Sequence, residues 1–135
     1  MTGETNLKTL LRQMSPVLNP GSYVFCSVGR SFVVPDSVLL ASFVEQEGKT
    51  LVLSREAAEN HQLKYTQVMS WITLKVHSSL EAVGFTARVS AALADEGISC
   101  NMIAGYYHDH IFVDKDEEFT AMEVLKRLSE GVSGD

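Results

Sequence analysis

The sequence predicts an α+β fold, a two-layer sandwich with helices on one face of an antiparallel sheet. Three observations carry this. Residues 71 to 77 alternate, with Ile72, Leu74 and Val76 to one side and Thr73, Lys75 and His77 to the other, the period of a half-buried strand. The next stretch changes period: Phe85, Val89, Ala92 and Leu93 recur at helical spacing, with Arg88, Asp95 and Glu96 largely opposite. Gly97 then stands where a helix takes a left-handed terminal residue. Alternation returns in Ile98, Cys100, Met102, Ala104 and Tyr106, and a third strand, Ile111-Phe112-Val113, follows His108-Asp109. Ala121, Val124, Leu125 and Leu128 lay out a last helix, which completes a βαββα order.

The first half is taken from its beginning. Leu7, Leu10, Leu11 and Met14 predict a short helix over residues 5 to 14. Pro16 and then Asn19-Pro20-Gly21 predict its end and a turn. Tyr23 to Val28 is rich in aromatic and β-branched residues and reads as a strand. Residues 29 to 37 form a loop around Pro35, and the runs 38–45 and 50–53 flank a hairpin turn with Gly48. Ser54 is placed to cap a helix over SREAAENH, with Glu56 in its first turn. This half reads αβββα and leads into a strand from residue 68. No Gly/Ser/Pro linker stands at 64–70, so independently moving domains are not expected.

Composition narrows the function. A chain of 135 residues with 45% hydrophobic and 21% charged residues has enough apolar side chains for a packed core. Its net charge of -6 argues against general nucleic-acid binding and against anionic membrane surfaces, because both need clustered cations. No apolar run is long enough to span a bilayer, and the first residues lack the basic and apolar regions of a secretory signal, so a cytoplasmic protein is expected. Cys26 and Cys100 each sit in an apolar alternating run and are expected as buried reduced thiols.

The stretch SSLEAVGFTARVSAALADEGISCNMIAGYYHDHIFV resembles an ACT domain, a small-molecule regulatory module attached to many enzymes of amino-acid metabolism. The matching features are an apolar strand, a loop ending in Gly84-Phe85, a helix, and Gly97-Ile98-Ser99 leading into Asn101-Met102-Ile103. HSSLEAVG with AGYYHDHIFV is similar to a group of short bacterial proteins with two ACT-like halves. The resemblance covers roughly half the chain and implies a ferredoxin-like strand order. It divides the chain into a degenerate ACT-like half at 1–67 and an ACT domain at 68–135.

The resemblance also implies a site. In ACT domains that bind amino acids, the ligand lies between two ACT units, held by the loop before the helix and by an Asn early in the second strand. The matching residues are Ser79, Glu81 and Gly84 in the loop and Asn101 in the strand. His77 stands at the same end, where helix-start amides favour a carboxylate. Many family members carry a polar residue followed by Pro-Gly where this chain has Ala82-Val83-Gly84. Two alternatives stay open. Ser78 and Glu81 fit a capping box that would start the helix at Ser79 and use up two amides, or residues 78–83 form a loop and the helix starts near Gly84. Likewise Gly84 and Asn101 either meet a ligand or serve packing and backbone bonding.

The other polar residues suggest less. In a ferredoxin-like order, His77 would lie next to His110 on the neighbouring strand. His108, His110 and His77 could approach a zinc set, yet there is no clear fourth ligand, and His108-Asp109 reads better as a hairpin turn. Tyr106 and Tyr107 point to opposite sheet faces, one toward the core and one toward a pocket or dimer contact. The acidic run Asp114 to Glu118 suits the start of the last helix. There is no Ser-His-Asp order, phosphate loop, CxxC or dinucleotide fingerprint. The expectation is a non-enzymatic amino-acid-binding regulator with no catalytic residues, cofactor or metal. It would form a homo-oligomer and act through a partner protein. The alternatives are a ligand-free assembly protein that pairs through sheet edges, or a metal-binding enzyme.

Overall fold

Asn6 opens the first helix: its side-chain oxygen accepts from the Thr9 amide at 3.1 Å, which satisfies one of the donors a helix start leaves free. In the computed structural model, residues 6–75 and 84–131 are described. The elements run α1 (Leu7–Gln13), β1 (Pro16–Val28), β2 (Leu39–Val44), β3 (Lys49–Ser54), α2 (Arg55–Asn60), β4 (Met69–Leu74), α3 (Phe85–Asp95), β5 (Cys100–Ala104), β6 (Asp109–Asp114) and α4 (Glu118–Glu130). This is the expected αβββα followed by βαββα. Contacts divide the chain into two units, Met1–Asn19 with Trp71–Asp135, and Pro20–Ser70.

The first unit holds α1, the opening residues of β1, and β4, α3, β5, β6 and α4, with the strands ordered β1-β4-β6-β5. β5 and β6 pair antiparallel from Cys100↔Val113 to Ala104↔Asp109. Alternation sends Ile72 and Leu74 of β4 and Ile111 and Val113 of β6 to one face. There they meet Phe85, Val89 and Leu93 of α3, Val124, Leu125 and Leu128 of α4, and Leu10, Leu11 and Met14 of α1. All the helices of this unit therefore cover a single face. Leu10, Ile72, Leu93, Ile111 and Leu125 are fully buried, each stabilising the fold by about 1.5–3 kcal/mol relative to exposure. Both long helices end on a left-handed glycine past the last turn, Gly97 at φ 76° and Gly131 at φ 73°.

The second unit orders its strands β2-β3-β1. β1 and β3 pair antiparallel from Tyr23↔Ser54 to Val28↔Lys49. Val24 and Cys26 of β1, Leu51 and Leu53 of β3, and Ala57 and Ala58 of α2 form its core. Ser54 caps α2 as expected, its hydroxyl accepting from the Ala57 amide at 3.0 Å. β2 is an edge strand with a register shift between Leu39 and Ala41, and its residues after Ala41 are all exposed.

Three expectations need correction. Asn19-Pro20-Gly21 does not turn the chain: β1 runs through it for 13 residues. Gly21 absorbs the irregularity at φ 102°, and the Tyr23 hydroxyl donates to the Pro20 carbonyl at 2.8 Å. Tyr106 is not part of a strand, and neither tyrosine is in the core. β5 stops at Ala104, the Gly105 amide donates to the His108 carbonyl at 2.9 Å, and the two rings sit edge to face on that turn, 86% and 68% exposed. Cys26 is buried, whereas Cys100 is only half-buried because β5 is the outer strand of its sheet; both thiols are free.

Candidate functional site

The helix that the site depends on starts at Phe85. Gly84 precedes it in the left-handed region at φ 96°, a conformation that favours glycine. Space is not what requires glycine here, since among the described residues a Cβ would meet only Leu7 Cδ2 at 3.5 Å. The backbone conformation is. Phe85, 2% exposed, anchors the first turn in the core, and the Arg88 amide closes that turn on the Gly84 carbonyl at 2.8 Å. Gly84 brings no side-chain cap to the amides of this turn. His77, Ser79 and Glu81 lie outside the described residues, as does the proposed Ser78 capping box.

Asn101 stands on β5, opposite Phe112 of β6. Its neighbours Cys100 and Met102 pack toward the helices, so Asn101 faces away from them, exposed. α3 has 11 residues and is about 16 Å long. Gly84 marks its start, and Asn101 follows four residues after the Gly97 that ends it. One unit thus keeps Gly84 and Asn101 apart, at opposite ends of the helix. That placement is compatible with a ligand held by two units.

The same outer face carries a polar array that sequence reasoning did not assemble. Asn19 Nδ2 donates to the Trp71 carbonyl at 3.1 Å and to Thr73 Oγ1 at 2.9 Å. Trp71 Nε1 donates to His110 Nδ1 at 3.0 Å, and Thr73 Oγ1 lies 3.3 Å from the same nitrogen. An indole N–H can only donate, so His110 Nδ1 accepts and the ring proton belongs on Nε2. Burial lowers the His110 pKa, with His108 adding to the effect and Asp109 opposing it. The Trp71 ring also stacks on Phe112, centroids 6.4 Å apart. Trp71 and Thr73 of β4 thus both meet His110. The alternation of 71, 73 and 110 could have signalled this arrangement once the strand register was known.

His108 has a buried Nδ1 without a hydrogen-bond partner among the described residues. Burial raises the Asp109 pKa, and the flanking histidines partly offset this. Among the described residues no three His, Cys, Asp or Glu side chains converge as a metal set would require. No helix among them is long and apolar enough to cross a membrane.

The sequence matches models of the ACT domain twice, over residues 2–70 and over residues 68–127. It is 48% identical to a Vibrio cholerae protein of unknown function, a possible transport protein, covering 91% of this chain and 95% of that one with a TM-score of 0.80. Two distant structures share the fold at 8% identity. One is the allosteric aspartate kinase of Clostridium acetobutylicum, with 87% of this chain and 34% of that one covered and a TM-score of 0.60. The other is the regulatory subunit of aspartate kinase from Thermus flavus, with 84% and 95% covered and a TM-score of 0.53. No curated protein matches the sequence. Two family matches in tandem, joined to the βαββα unit with its glycine-led helix, make this chain a member of the ACT domain family.

Proposed function

We propose that the protein is a non-enzymatic regulatory module that binds a small molecule, an amino acid by class, and acts on a separate partner protein in the cytoplasm. The observation that carries this reading is the start of α3. Gly84 is held at positive φ at the start of an 11-residue helix, where the positive end of the helix dipole favours a carboxylate. The contacts proposed for the ligand are Gly84 with Ser79, Glu81 and His77 from one unit and Asn101 from another. Because Gly84 and Asn101 stand at opposite ends of α3, a homo-oligomer in which one copy supplies each end is part of the proposal. The ligand would favour one arrangement of units and so shift a population that the partner reads. Calorimetric titration with the common amino acids tests it. One of them should release heat, and Asn101→Ala should weaken its binding without changing the melting temperature. Silence with all of them would remove the amino acid from the proposal.

A second reading, a ligand-free assembly protein, is favoured by β2. This edge strand, LLASFV, carries no charge and no proline, and Phe43 and Val44 are 71% and 55% exposed. Such an edge is a template for pairing with another chain. Light scattering that gives the mass of one chain at micromolar concentration would exclude it.

A further inference from the structure

The helical layer of the first unit contains a cleft that the reading above does not use. It has a volume of about 290 Å³ and opens among α1, the first turn of α3 and the end of α4. On α1, Leu7 and Leu11 are one turn apart, and Lys8 and Arg12 are one turn apart beside them, so an apolar row and a cationic row run along the helix together. Leu128 of α4 completes the apolar floor, and Arg88 of α3 adds a third cation to the rim. Among the described residues that line it, Glu130 is the one carboxylate. This concentration of positive charge runs against a chain whose net charge is -6. Local charge, not the long-range field, would therefore select the ligand.

From the cleft's chemistry we infer that it is a second binding site for a small carboxylate with a short aliphatic tail, on the helical face away from Asn101 and bordered by Leu7 and Arg88, which lie beside Gly84. The guanidinium of Arg12 and the ammonium of Lys8 receive the carboxylate, and the half-buried Leu7, lying over the buried Leu11 and Leu128, receives the tail. The volume is at the lower end for small-molecule pockets, which limits the ligand to less than drug size.

The test is a ¹H–¹⁵N NMR titration of the full chain with hexanoate, hexanol and inorganic phosphate. Hexanoate should shift amides in α1, the first turn of α3 and the end of α4, while hexanol and phosphate, each with half of the required chemistry, bind more weakly. Lys8→Gln and Arg12→Gln change exposed side chains and should each weaken hexanoate about three- to tenfold, with stronger salt dependence in the unmodified protein. Asn101→Ala should leave hexanoate binding unchanged, which keeps this site distinguishable from the amino-acid site. The inference is overturned if hexanoate shifts none of these amides, if hexanol or phosphate binds as tightly, or if neither charge substitution matters.

Discussion

Replacing Trp71 with Phe isolates one hydrogen bond. The ring that stacks on Phe112 is largely kept, but the N–H that His110 Nδ1 accepts at 3.0 Å is lost. A neutral hydrogen bond of this kind contributes about 1 kcal/mol. It exists only while Nδ1 is unprotonated, since a proton there would face the indole N–H. Trp71 therefore stabilises neutral His110, and losing it should make protonation easier by a factor of about five. Burial and His108 already hold the folded pKa below the ordinary 6.5, so on acidification the unfolded chain takes up its proton first. The stability tied to His110 is complete above that value and is lost as pH falls toward the folded pKa. Asp109 has the opposite sign: its pKa is raised from 3.8, so its contribution is full below that value and is lost as pH rises through the folded pKa. The assay is an NMR titration of His110 ring resonances in both proteins, with ¹⁵N shifts reporting the tautomer. The reasoning fails if the unmodified protein shows the proton on Nδ1, or if His110 titrates identically in the two.

Leu93→Ala removes a fully buried side chain from between α3 and the sheet and should lower urea stability by about 2–5 kcal/mol with an unchanged m-value. Ser54→Ala takes away the cap bonded to the Ala57 amide. It should cost about 1 kcal/mol and speed amide exchange in α2 before the rest of its unit. Gly48→Ala puts a methyl group against the Val28 carbonyl oxygen, so the hairpin turn must shift. Thermal melting should drop well beyond the few tenths of a kcal/mol typical of an exposed substitution.

Much of the fold could be read because local and global preferences agree. The helical spacing of Phe85, Val89 and Leu93 coincides with the face that packs, and Gly97 and Ser54 sit where helix ends need them. Asp114 likewise caps the short 3-10 turn before α4, accepting from the Asp116 amide at 2.9 Å. Where long-range pairing outweighs local signal, the reading failed. Asn19-Pro20-Gly21 has turn chemistry, yet β1 has sheet partners on either side of it and continues. The tyrosine pair extends the alternation of β5 by pattern alone, but Gly105 is so close to the His108 carbonyl that the chain turns back first. The Trp71–His110–Thr73–Asn19 array was not legible because it is set by strand register between segments some 40 to 50 residues apart, which periodicity within one segment does not encode.

β1 takes part in both units, since its first residues and α1 belong with the chain beyond Trp71 while the rest of it belongs with β3. The two family matches meet at 68–70, which invites the cloning of separate halves. A fragment cut there would leave Leu10, Leu11 and Met14 on the wrong piece, and α4 and α3 would present an unlined apolar hollow to water. The second half should come out of expression insoluble or molten, and adding a synthetic 6–19 peptide should rescue it. A chain whose two units share a strand in this way has to be engineered as one piece, whatever its internal repetition suggests.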